Sequence, residues 1–103
     1  MYAAELEKDI IGSLMNYPEL INDVRDLLHY SKFSLENRPI YEAIQTLERE
    51  AKPYDFMMVL NYLKGKGARY EVNNLSTLND NYTARDLNKK AAQVNELWMA
   101  REL

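Results

Sequence analysis

Cysteine is missing from all 103 residues. Its absence removes a disulfide framework and any thiolate metal site, and it fits a reducing compartment. Histidine occurs once, at His29. Cys–His dyads and multi-histidine metal sites are therefore excluded. Glycine is scarce, present only at Gly12, Gly65 and Gly67. None stands in the GxxxxGK[ST] spacing of a phosphate cradle, and "KGKG" at 64–67 reads as a helix end. No run of eighteen apolar residues exists, which argues against a membrane span. The opening "MYAAELEKDIIGSL" carries acids where a signal peptide carries a basic flank, so it reads as a mature cytosolic start. "NYT" at Asn81 matches a glycosylation acceptor, but without export the match has no consequence. A basic excess is also lacking. The net charge is −3, without the electrostatic footprint of duplex binding.

What is present is apolar residue at helical spacing. Apolar residues make up 47% of the chain, enough for one modest core in one domain. Residues 3–15 place Ala3, Leu6, Ile10 and Leu14 on one stripe, with Ile11 and Met15 beside it. Gly12 inside this helix is either tolerated, at about 1 kcal/mol relative to alanine, or marks a close helix crossing; the crossing is the favoured reading. "NYPEL" breaks the chain and restarts it. Pro18 suits a first helical position and Glu19 the positive helix N-terminus. Leu20, Val24, Leu27 and Leu28 form the next face, with His29 at its end, bonding terminal carbonyls or facing solvent. "HYSKFSLENRP" is a polar connection with one aromatic, Phe33. Ser34 or Asn37 caps the following helix, and Pro39 enters its first turn. Ile40, Tyr41, Ile44 and Leu47 make its buried face, and Pro53 prevents its continuation.

Asp55 then caps a short helix whose stripe is Phe56, Val59, Leu60 and Leu63. Met57 and Met58 point about 100° apart, so they do not line a common groove. Lys64 and Lys66 suit the helix C-terminus, and Gly65 or Gly67 supplies the left-handed cap. A short piece follows around Val72, Leu75 and Leu78. Thr83 caps the last helix with Asp86 as capping-box partner. Leu87, Ala91, Val94, Leu97 or Trp98, and Arg101 fall on one side of that helix. No glycine or proline stops it. Trp98 either folds back onto the core or waits for another chain or further sequence, and the second is the expectation.

Six helices and no strand follow: an all-α, compact orthogonal bundle. The eight tyrosines sit at helical positions and read as core-edge packing, not as a base-stacking platform. The sixteen carboxylates fall on polar helix faces as solvated groups. Lys64, Lys66 and Arg69 form the only compact basic cluster, which helix-end compensation explains about as well as DNA contact does. No catalytic, cofactor or metal residue is expected, and a small helical domain without chemistry works by contact.

Four stretches in order are "LEKDIIGSLMNYPEL", "FSLENRPIYEAIQTL", "KPYDFMMVLNYLKGKG" and "ARDLNKKAAQVNELWMAREL". Together they resemble the N-terminal domain of bacterial replicative DNA helicases of the DnaB family. Glu7 to Glu19 is similar to the family's opening "EaavLGsLL.dpe", with Gly12 at its glycine. Phe33, Arg38, Ile40, Tyr41, Ala43, Ile44 and Leu47 look like "dF....HR.If.ai..L", with Asn37 where histidine is usual. Pro53, Asp55, Val59 and Leu63 resemble "g.piD.vtv...L", with Met58 in place of threonine. Leu87, Ala92, Val94 and Arg101 are similar to the family's closing segment. The family's "vGG..yl..L" is replaced by "EVNNLSTLNDNY", which marks a diverged member.

The resemblance implies a non-catalytic collar domain that assembles a hexameric ring and docks primase. A helicase loader is a further implied partner, and DNA is met only through the full ring. ATP and Mg belong to a separate C-terminal domain that this chain does not include. Residues 1–82 would form a globular head, and 83–103 the first half of a truncated dimerisation hairpin. Leu87, Val94, Leu97, Trp98 and Arg101 are then the expected self-association surface, and Gly12, Phe33, Arg38, Pro53 and Asp55 the structural marks. The runner-up is the helicase-binding C-terminal domain of a primase, which shares a similar fold and an "LL..PEL" start. A third reading is a stand-alone helical adaptor or direct DNA binder, which the negative charge disfavours.

Overall fold

Residues 4–67 and 87–102 are described by a computed structural model. Five α-helices are present in these residues: α1 (Ala4–Asn16), α2 (Ile21–Val24), α3 (Arg38–Arg49), α4 (Phe56–Gly65) and α5 (Leu87–Glu102). Two 3-10 turns, Pro18–Leu20 and Tyr30–Lys32, join them. No strand occurs among the described residues. The all-helical expectation holds, with five helices among the described residues where about six were expected of the whole chain. The piece around Val72, Leu75 and Leu78, and the Thr83–Asp86 cap, lie outside the described residues.

Helix α1 is the centre. Residues 10 to 15 are all buried, Gly12 among them. A single stripe was too narrow a description, because α1 packs on α5 and on the first 3-10 turn. Ser13 lies on this buried stretch and donates its hydroxyl to the Asp9 carbonyl at 2.7 Å. That bond satisfies a polar group that burial would otherwise penalise.

The second helix is shorter than its spacing suggested. Only Ile21–Val24 is α-helical, and turns follow. Ile21, absent from the expected face, is buried with Val24 and Leu28, while Leu20 and Leu27 are half-buried. His29 therefore ends no helix. It caps the next 3-10 turn, its Nδ1 accepting from the Ser31 N–H at 3.2 Å.

Helix α3 buries Ile40, Tyr41, Ala43, Ile44 and Leu47, with Pro39 in its first turn. Asn37 holds the N-cap position, yet its side chain makes no cap bond. Pro53 does not end this helix either. The stop comes earlier, at Ala51, whose φ of 58° is left-handed. Ala51 N–H bonds the Glu48 carbonyl at 3.0 Å and Lys52 N–H bonds the Leu47 carbonyl at 2.9 Å. Those two bonds are the Schellman pair, built here without glycine.

Asp55 caps α4 as expected, accepting from the Met58 N–H at 3.0 Å. Val59, Leu60 and Leu63 are buried, Met57 is exposed and Met58 half-buried, so the two methionines diverge. Gly67, with φ of 77°, is the left-handed residue that closes the helix. Gly65 is its last helical residue.

Helix α3 packs against α4, and α5 lies on α1 and α2. The second 3-10 turn touches both α3 and α5 and so bridges the two sides. One continuous core results. It runs from Ile10 through Phe33 and Tyr41 to Leu87, Ala91 and Val94.

Candidate interaction surface

Glu7 of α1 meets Ser34 and Asn37 of the loop before α3 in one buried polar knot. Glu7 is 1% exposed. Its carboxyl group accepts the Ser34 N–H on both oxygens, at 3.0 and 3.1 Å. It also accepts the Ser34 hydroxyl at 2.6 Å and the Asn37 amide at 2.9 Å. Asn37 is thereby drawn away from capping α3. All four bonds run toward Glu7, which is what a buried acidic group needs to offset its lost hydration. Next to this knot, Phe33 stacks on Tyr41, with ring centroids 4.3 Å apart and planes 16° apart. Arg38 donates through Nη2 to the Phe33 and Ser31 carbonyls at 3.1 and 3.3 Å. Residues 31–38 are thus fixed from three directions.

That fixed loop holds the end of α5. Lys32 donates to the Leu27 carbonyl at 2.8 Å and to Asn95 Oδ1 at 2.7 Å. Its Nζ also lies 5.0 Å from the centre of the Trp98 ring, within cation–π range. Arg101 Nη2 donates to the Lys32 carbonyl at 3.1 Å. At the other end of the helix, Lys90 pairs with Asp9 at 3.2 Å.

The five residues expected at a self-association surface therefore separate. Leu87 is 4% and Val94 1% exposed. Both are covered by this chain's own core, correcting the expectation that too little chain remains to cover them. Leu97, Trp98 and Arg101 are half-buried, and Trp98 and Arg101 lean on the Lys32 loop. Among the described α5 residues, Met99 is the large apolar side chain that stays outside, 43% exposed. Of the structural marks, Gly12 and Phe33 are buried, Arg38 ties the loop, Asp55 caps α4, and Pro53 is exposed in the α3–α4 link.

A cleft of about 540 Å³ opens between α2, the second 3-10 turn and α3. Ile21, Arg25, Tyr30, Tyr41, Gln45 and Arg49 contribute to its walls. Arg25 bonds Glu48 at 3.1 Å across it. The Tyr41 hydroxyl is buried and has no partner among the described residues. Burial first, and the Glu48 charge second, push its pKa well above the ordinary tyrosine value. Tyr54 is shifted in the same direction by the same two causes, and its hydroxyl donates to the Pro18 carbonyl at 2.7 Å. No group of three or more metal-ligating side chains lies together among the described residues. No described helix is long and apolar enough to cross a membrane.

Glu7 and Lys32 are the residues that sequence reasoning missed. Glu7 did leave a signal: it falls on the apolar stripe three residues before Ile10 and seven before Leu14, where a solvated acid does not belong. Lys32 left none, because its partner Asn95 lies 63 positions away.

Two comparisons place the chain. The family model described as DnaB-like helicase N-terminal domain matches residues 1–96. The crystal structure of the N-terminal domain of DnaB helicase from Mycobacterium tuberculosis superposes with a TM-score of 0.92 at 24% identity, covering 99% of this chain and 76% of that one. At that identity the superposition establishes the fold alone. No curated protein sequence matches.

Proposed function

The chain belongs to the DnaB-like helicase N-terminal domain family, and from that membership we propose that it is the non-catalytic collar of a replicative DNA helicase. In this reading it assembles with copies of itself, as a dimer and in the full-length ring as a hexamer. It docks primase and a helicase loader, in the cytoplasm. ATP and Mg are handled by a separate domain, and DNA is met through the ring. The family match across residues 1–96 carries the reading. It also favours the helicase over a primase domain or a stand-alone adaptor.

The fold narrows the surface proposed for self-association. With Leu87, Ala91 and Val94 turned into the core, α5 offers the flank that carries the exposed Met99, while Leu97 falls about 160° away on the other flank. A second helix laid along the Met99 flank would complete the hairpin. Light scattering of the chain over a concentration series tests this. Mass rising toward a dimer is expected, and Met99→Glu is expected to weaken it about tenfold, the loss of roughly one buried apolar contact. A strict monomer at high concentration, or an unchanged Met99→Glu variant, contradicts the surface.

A further inference from the structure

The second 3-10 turn sets a nucleophile against a base. Ser31 is the one exposed serine among the described residues, since Ser13 and Ser34 are buried. Its hydroxyl lies 2.9 Å from His29 Nδ1. The Ser31 N–H donates to the same Nδ1 at 3.2 Å. A main-chain N–H can only donate, so Nδ1 carries no proton and the ring hydrogen is on Nε2. The hydroxyl is then also a donor to Nδ1. A serine hydroxyl held by an unprotonated imidazole is the arrangement that activates this weak oxygen nucleophile.

A cation stands beside the pair. Arg38 Nη2 donates to the Ser31 and Phe33 carbonyls, which fixes the guanidinium next to residue 31. Its Nη1 has no partner among the described residues, and Arg38 is in none of their ion pairs. Lys32, the next residue, is committed to Leu27, Asn95 and Trp98. The nearby Glu7 carboxyl is committed to Ser34 and Asn37. Residues 29–34, "HYSKFS", contain no acid. A group accepted by Ser31 therefore meets an available arginine N–H₂. A phosphoryl group, with about two negative charges and three acceptor oxygens, gains from that neighbour. A neutral acyl group does not. The donor follows from what surrounds the turn. The chain has no GxxxxGK[ST] loop to cradle a nucleoside triphosphate, whereas a small acyl phosphate needs no cradle.

We propose that Ser31 accepts a phosphoryl group from an acyl phosphate, with His29 as the base and Arg38 as the cation that holds the product. Ser31 Oγ attacks phosphorus and an O–P bond forms. The bond from phosphorus to the carboxylate oxygen breaks, and its electron pair leaves with the carboxylate. The hydroxyl proton passes to His29 Nδ1. The new charge stands one residue from Lys32, which holds the end of α5. The step needs no second copy of the chain and no primase, so it stands apart from the collar reading.

The test incubates the whole chain with acetyl phosphate at neutral pH, folded or unfolded in urea, and maps the products by mass spectrometry. Acid-stable phosphate on Ser31 is expected in the folded chain, with Ser13 and Ser34 unmodified, and that preference should vanish in urea. His29→Asn keeps a side-chain acceptor for the turn but removes the base. Ser31 should then react about a hundredfold more slowly, at an unchanged melting temperature. Arg38→Gln should slow the reaction about tenfold, as for loss of one charge-assisted hydrogen bond, and Arg38→Lys should recover most of it. In phosphorus NMR spectra the phosphate on Ser31 should titrate at lower pH than phosphoserine in a short peptide, and Arg38→Gln should remove that difference. No labelling, acid-labile phosphate on His29 in place of Ser31, equal labelling of folded and unfolded chain, or His29→Asn reacting at the wild-type rate would each overturn the proposal.

Discussion

Replacing Glu7 puts the packing scheme under the most strain. The carboxyl group accepts from three donor groups, the Ser34 N–H, the Ser34 hydroxyl and the Asn37 amide. Glu7→Ala leaves all three buried without their acceptor, at about 1–3 kcal/mol each. Relief of the acid's own desolvation offsets part of that sum, and removing one member of a buried charged cluster typically costs about 3–5 kcal/mol. We take about 3 kcal/mol as the net loss. For a domain of this size that corresponds to a melting temperature lower by about 15 °C. Glu7→Gln keeps the shape but presents an amide N–H₂ to donors, so about half the loss is expected. The knot also fixes the loop that carries Lys32, and Lys32 sits over Trp98. Trp98 is the only tryptophan, so its fluorescence reports whether α5 stays docked. Calorimetry and emission spectra of the two variants form the assay. A red-shifted Trp98 emission should accompany the lower melting point. A melting point within about 3 °C of wild type for Glu7→Ala, with unmoved emission, would refute the reasoning.

Ala51→Gly is expected to stabilise the chain by about 0.5–1 kcal/mol, because alanine is strained at the left-handed position that glycine adopts freely; urea midpoints check this. Asp55→Ala should lower stability by about 1 kcal/mol through the lost cap on α4, read in the same assay. Tyr41 and Tyr54 both have pKa values raised above the ordinary 10.0. The folded chain then keeps protons that the unfolded chain releases, so their contribution is whole below pH 10 and declines as pH rises above it. Urea midpoints between pH 8 and 11 should fall at the alkaline end, and less steeply in Tyr41→Phe. Lys32→Met should loosen the end of α5 and red-shift Trp98 while leaving Asp55 and α4 untouched, as amide exchange along α4 would show.

Much of this fold was legible in the residues, for reasons that also explain the failures. The stripes of α3 and α4, the Asp55 cap and the glycine stop are set by neighbours within one or two turns, and local spacing records such neighbours well. The second helix failed because its apolar spacing persists through residues that turn away from helix after Val24. Pro53 points to a stop that Ala51 in fact makes, since an alanine gives no warning of a left-handed backbone. Leu87 and Val94 give no local sign of their burial, because α1 packs on α5 from more than seventy positions away. The Glu7 knot rests on loop residues that come close only once the chain has folded.

Calorimetric titration of the chain with the helicase-binding C-terminal domain of its cognate primase tests the docking-domain reading most directly. Saturable binding at micromolar protein, retained in Met99→Glu, is the predicted result. No heat and no co-elution on a sizing column at ten times that concentration would contradict the claim that this domain is the primase-docking collar of a replicative helicase.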